Sequence, residues 1–113
     1  MDITLLVFHS LTSYGKECID SFNKKLQDIN KKKFKICFLN GNPSLRQTLL
    51  KCKEEKATKL NIIPMLLLPG VHLNKDIPEI INEFSSENAK IEVSIQNCLS
   101  IDDNFIEYIS NRI

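Results

Sequence analysis

Lys59–Leu68, KLNIIPMLLL, is the most hydrophobic stretch of the chain, and its character settles the fold class. The apolar run within it is far shorter than the ~20 residues a bilayer-spanning helix needs. It has the length of a strand, and its side chains are apolar on both faces, as in a sheet covered by helices on either side. Pro64 lies inside it and cannot donate to a ladder, so a bulge or a strand split in two is expected there. Downstream, Pro69–Lys75 reads as a loop. Asp76 is positioned to cap a helix over 77–84, with Pro78 in the tolerant first turn. Residues 91–95 alternate apolar and polar through Glu92 and Ser94, the pattern of a fourth strand. Residues 102–111 form a last helix, with Phe105, Ile106 and Ile109 on one face.

Upstream, the pattern repeats. Ile3–Phe8 (ITLLVF) is a second strand buried on both faces, and it opens the chain's order. Residues 12–30 carry Cys18, Ile19, Phe22, Leu26 and Ile29 at helical spacing. Lys31–Lys33 is a basic turn, and Phe34–Leu39 (FKICFL) a further strand. Gly41-Asn42-Pro43 marks a turn. A helix follows from Pro43 or Ser44, with Leu45, Leu49, Leu50 and Cys52 directed inward. The whole reads βαβαβαβα: an α/β fold, an open parallel four-stranded sheet with helices on both faces, like half of a flavodoxin-like fold. No linker, repeat or low-complexity segment divides residues 1–113, so one domain is expected.

Composition narrows the function. With 15 basic and 14 acidic residues the net charge is +1, which gives nucleic-acid binding no electrostatic support. No segment is long enough for a membrane span, and the acidic, strand-like N-terminus does not resemble a signal peptide, so a cytoplasmic protein is expected. Four widely spaced cysteines without a CxxC pair predict free thiols rather than a zinc or redox motif.

Ligands of open α/β sheets bind beyond the carboxyl ends of the strands. The only two histidines fall at that edge: His9 directly after the first strand, His72 after the third. Adjacent strands ~4.8 Å apart would bring them together on one rim, where imidazoles can bind a divalent metal or accept a proton. A histidine at a strand end can also be an ordinary polar residue. Spacing alone reaches a small-molecule or metal site, and no further.

Ile62–Ile80, IIPMLLLPGVHLNKDIPEI, closely resembles the sirohydrochlorin chelatases of the CbiX type, with their Val-Pro, apolar residues, Pro-Gly-Gly-His and closing Asp-Ile-Pro. Phe38–Leu45 (FLNGNPSL) is similar to the family's Phe-Leu-Glu segment leading to Pro-Ser-Leu, and Leu5–Ser10 (LLVFHS) to its Gly-His-Gly-Ser. The length matches the short, single-domain form. The resemblance implies a chelatase-like domain that inserts Co²⁺, Fe²⁺ or Ni²⁺, as substrate, into sirohydrochlorin or a related tetrapyrrole, with no organic cofactor. The product would serve siroheme, cobalamin or another branch. It implies that His9 and His72 bind the metal and take up the pyrrole protons, and that two copies form a homodimer around the macrocycle. Ser10, Asn40, Arg46 and Lys75 are the candidate contacts to that polycarboxylate by loop position; Arg46 and Lys75 also fit ordinary solvated side chains. Phe8 and Ser10 replace the glycines flanking the first histidine, the arginine that usually follows is absent, and Asn40 stands nearest the acid expected after the second strand. An amide is a weaker ligand and a poor base. That leaves a second expectation, a metal- or tetrapyrrole-binding homologue without turnover, and a third, an interaction module in which both histidines are incidental.

Overall fold

A computed structural model describes residues 1–113. Strands β1 (Asp2–Ser10), β2 (Phe34–Asn40), β3 (Lys59–Pro64) and β4 (Glu92–Ile95) form one parallel sheet in the order β2-β1-β3-β4. Helices α1 (Lys16–Ile29), α2 (Leu45–Glu54) and α3 (Ile77–Glu87) make the crossovers, and α4 (Asp103–Ser110) follows β4. The expected α/β class, four-stranded parallel sheet and alternation of elements are all present.

The main core lies on one face of the sheet. Ile3, Leu5 and Val7 of β1, Cys37 of β2 and Leu60 and Ile62 of β3 meet Leu45, Leu49 and Cys52 of α2 and Ile77, Ile81 and Phe84 of α3. Each of the valine, leucine, isoleucine and phenylalanine side chains among them contributes ~1.5–3 kcal/mol on burial. On the opposite face Phe8 stands edge-on to Phe22 of α1, with ring centroids 6.0 Å apart, and lies beside Phe38. That face is thinly covered, because α1, which lies over it, buries no residue.

Both ends of α2 are closed by their own sequence. Gln47 N–H donates to Ser44 Oγ (3.1 Å) and Ser44 N–H to Gln47 Oε1 (2.9 Å), a reciprocal capping box. At the other end Lys56 takes a left-handed φ of 63°, Ala57 N–H donates to Cys52 O and Lys56 N–H to Lys53 O, both at 3.0 Å. This is a Schellman closure at a position that favours glycine. Beside it Lys33 and Lys35 both pair with Glu55, which holds that carboxyl down at about 2.

Several expectations are corrected. β3 ends at Pro64 and does not continue to Leu68; it is neither bulged nor split, because the residue without an N–H is simply its last. The first helix begins at Lys16, not residue 12, since Gly15 N–H folds back onto Thr12 O and Oγ1. Leu50 points outward and is 56% exposed. It sits ~140° round the helix from Leu45 at ~100° per residue, and buried Thr48 takes the inward place. The stretch after Leu68 is not all loop: a π-helical turn, His72–Asp76, runs straight into α3. Asp76 is therefore already helical and caps nothing with its side chain.

Candidate functional site

β1 and β3 are neighbours with Val7 opposite Pro64, and Met65 N–H donates to Val7 O at 2.8 Å. The two chains leave the sheet together at its carboxyl edge. His9 is the penultimate residue of β1, exposed on that edge. The π-helical turn returns His72 over it, anchored by buried Leu73 and by bonds from Asn74 N–H to Gly70 O (2.8 Å) and from Ile77 N–H to His72 O. The two imidazole rings lie 4.4 Å apart, centre to centre, tilted by 51°. A single ion ~2 Å from one nitrogen of each ring is within reach of both.

His72 Nδ1 lies 2.8 Å from Asp76 Oδ2. A carboxylate only accepts, so the contact suits a ring with its proton on Nδ1, and in a neutral imidazole that arrangement leaves the lone pair on Nε2. No three His, Cys, Asp or Glu side chains meet in an arrangement able to hold an ion. The histidine pair offers two nitrogens and an open surrounding.

A cavity of about 260 Å³ adjoins His72, lined also by Leu39, Asn40, Arg46, Asp76, Glu79 and Ile80. A groove of about 310 Å³ between α2 and α3 and another of about 570 Å³ beside β2 are larger, but neither histidine lines them, so the site is assigned by its chemistry and not by volume.

Asn40 closes β2 in register with Ser10, and both are exposed beside the histidine edge. Arg46 lines the cavity but its guanidinium is bound by Glu83; that hydrogen bond raises the guanidinium's pKa and holds the Glu83 carboxyl below the ordinary range. Lys75 is exposed on the π-helical turn and, like Ser10, lines none of this cavity. The sequence reading missed Asp76 and Glu79 as cavity residues. The four-residue spacing of His72 and Asp76 was visible, but it was overridden by the expectation of a cap.

Two of the four cysteines are far from reactive. Burial pushes the Cys37 thiol up to about 12 and the Cys52 thiol to about 11; Cys98 is buried as well, and only Cys18 is exposed.

Comparison with known proteins gives a consistent family. A family model described as CbiX matches residues 5–113. A sirohydrochlorin ferrochelatase from Priestia megaterium is 32% identical over 79 residues, covering 69% of this chain and 30% of the relative. The chain thus spans about a third of that curated relative's length. The crystal structure of the sirohydrochlorin chelatase SirB from Bacillus subtilis subspecies spizizenii, in complex with cobalt, superimposes with a TM-score of 0.82 at 24% identity, over 98% of this chain and 49% of that one. A putative cobalamin biosynthesis CbiX protein from Marinobacter aquaeolei gives a TM-score of 0.77 at 19% identity, over 99% of this chain and 93% of that one. At these identities the two structures establish the shared fold.

Proposed function

The chain belongs to the CbiX family, and from that premise we propose that it is a metal chelatase, a lyase by class, that inserts Co²⁺, Fe²⁺ or Ni²⁺ into sirohydrochlorin or a related tetrapyrrole. The observation that carries this reading is the pair of imidazoles, His9 and His72, 4.4 Å apart at the carboxyl edge of the sheet. A storage or structural site closes around its ion with four ligands; a site that must release it keeps positions open. Two nitrogens with no third ligand suit a metal that is substrate. As the macrocycle takes the ion, its pyrrole N–H protons must leave, and a neutral imidazole is a competent acceptor near neutral pH. Ser10, Asn40, Arg46 and Lys75 are the polar residues proposed to meet the carboxylate rim, Arg46 by exchanging Glu83 for substrate.

The cavity beside His72, about 260 Å³, is below the ~300–1,000 Å³ of ordinary ligand pockets and too small for a tetrapyrrole. We therefore propose that the working unit is a homodimer of this 113-residue domain, with the macrocycle held between copies. Support comes from the apolar side chains left exposed on α4 and on the segment after β3, among them Leu68, Val71, Ile106 and Ile109. Four free cysteines favour the reducing cytoplasm, and no helix is long and apolar enough to cross a membrane.

Asn40, a neutral amide at the cavity, favours a second reading: binding of metal or tetrapyrrole without turnover. One experiment separates them. The protein is mixed with sirohydrochlorin and each of Co²⁺, Fe²⁺ and Ni²⁺, and absorbance is followed against a control without protein. The chelatase reading expects insertion faster than control for at least one metal. Tight binding with no acceleration for any of the three supports the second reading.

A further inference from the structure

The aspartate just before α3 has its carboxylate turned to a histidine instead of to the helix. Asp76 is helical in φ and ψ and makes no side-chain cap bond. The π-helical turn before it already occupies the first amides of α3, with Ile77 N–H bound to His72 O, so capping has nothing left to gain there. The carboxylate instead accepts from Nδ1 of His72 at 2.8 Å, four residues back across the same turn.

We propose that Asp76 is a positioning residue: its carboxylate holds His72 in the Nδ1–H tautomer and fixes the ring so that Nε2 presents its lone pair to the incoming metal. The proposal rests on the chelatase reading for what His72 is used for, but not for the geometry. A histidine offering one nitrogen to a metal commonly donates the other N–H to a carboxylate, which sets the tautomer and makes the ligating nitrogen a better donor. Without that bond a neutral imidazole divides between two tautomers, and one of them buries the ligand lone pair under a proton. With only two imidazoles at the site and no third ligand, that loss falls on half of the donor set. Both side chains are partly exposed, so the hydrogen bond contributes orientation far more than fold stability. Glu79 lines the same cavity but makes no bond to either ring, and Arg46 has no acceptor to offer, so Asp76 alone accepts at Nδ1.

The test reads the tautomer directly. Uniformly ¹⁵N-labelled protein at about pH 8, above the ordinary histidine range of ~6.5, gives imidazole nitrogen shifts that distinguish Nδ1–H from Nε2–H; His9→Ala assigns the remaining signals to His72. Wild type is expected to show His72 as Nδ1–H. Asp76→Ala is expected to lose that preference and to bind Co²⁺, followed by its visible absorption, ~10- to 100-fold more weakly. Asp76→Asn, whose amide oxygen can still accept from Nδ1, is expected to keep the tautomer and recover most of the affinity. Asp76→Ala with an unchanged tautomer and unchanged Co²⁺ affinity overturns the proposal. If Asp76→Ala does not fold, the wild-type spectrum decides: Nδ1–H upholds it and Nε2–H overturns it. A wild type that inserts no metal yet follows this pattern rejects the chelatase reading and keeps the positioning role. A wild type that inserts metal at a rate Asp76→Ala leaves unchanged rejects the positioning role alone.

Discussion

A neutral imidazole can give a lone pair to a metal or take a proton from a pyrrole, and the His9–His72 pair is asymmetric in its readiness to do either. His72 has a partner at Nδ1 and sits in a hydrogen-bonded turn; His9 stands on an exposed strand end. His72→Ala should therefore cost more than His9→Ala, within the ~10²–10⁴-fold typical of general-base loss. Steady-state insertion rates of the two single variants check the order. Asn40, which lines the cavity beside His72, can neither hold a proton nor bind metal strongly. Asn40→Glu should preserve or raise the insertion rate, because a carboxylate can do both; a fall of ten-fold or more with the fold intact would count against that role. The thiols allow a separate check of the packing. A thiolate is the reactive form, and burial holds Cys37 at about 12 and Cys52 at about 11. At pH 8 a thiol reagent should modify Cys18 alone within minutes, and Cys18→Ser should abolish that fast phase.

At the scale of the element, the end of α2 is the place where a single change should help. Lys56 pays for its left-handed φ of 63°, a conformation costing a residue with a Cβ ~1–2 kcal/mol. Lys56→Gly should raise stability by about 1 kcal/mol at most, once the greater freedom of glycine in the unfolded chain is counted, and thermal melting should move up by a few degrees. No upward shift would mean the strain is relieved elsewhere. This closure was not legible beforehand, since nothing in KEEKAT marks a Schellman turn when glycine is missing from it. The strands were legible because ITLLVF and KLNIIPMLLL are too apolar and too short for anything but a covered sheet. So was the placing of His9 and His72 on one edge, which follows from the adjacency of β1 and β3, although the π-helical turn that returns His72 over His9 was not. What failed did so for local reasons. A proline can end a strand as well as bulge it, a helix can start with a π-helical turn that makes the expected cap redundant, and one residue's rotation sends Leu50 outward where Thr48 goes in.

The molecule as a whole is lopsided. Its core fills the face under α2 and α3, whereas α4 buries nothing and the long axis reaches 46 Å against 28 and 27 Å for the others. Ile106 and Ile109 of α4 remain 50% and 43% exposed. If those side chains cover a second copy, sedimentation at micromolar concentration should give a dimer, and the Ile106→Asp, Ile109→Asp double variant should give a monomer. A wild type that stays monomeric with and without tetrapyrrole would remove the dimer from this account.

The outcomes that concern activity depend on one claim, that two histidines brought to one edge of a parallel sheet make a metal-insertion site. The most direct measurement follows Co²⁺ insertion into sirohydrochlorin by absorbance for the wild type and the His9→Ala, His72→Ala double variant, with circular dichroism confirming that both are folded. The account predicts that wild type accelerates insertion and that the double variant falls to the rate without protein. A folded double variant with full activity would contradict it, and would leave the two histidines as ordinary residues at the end of a sheet.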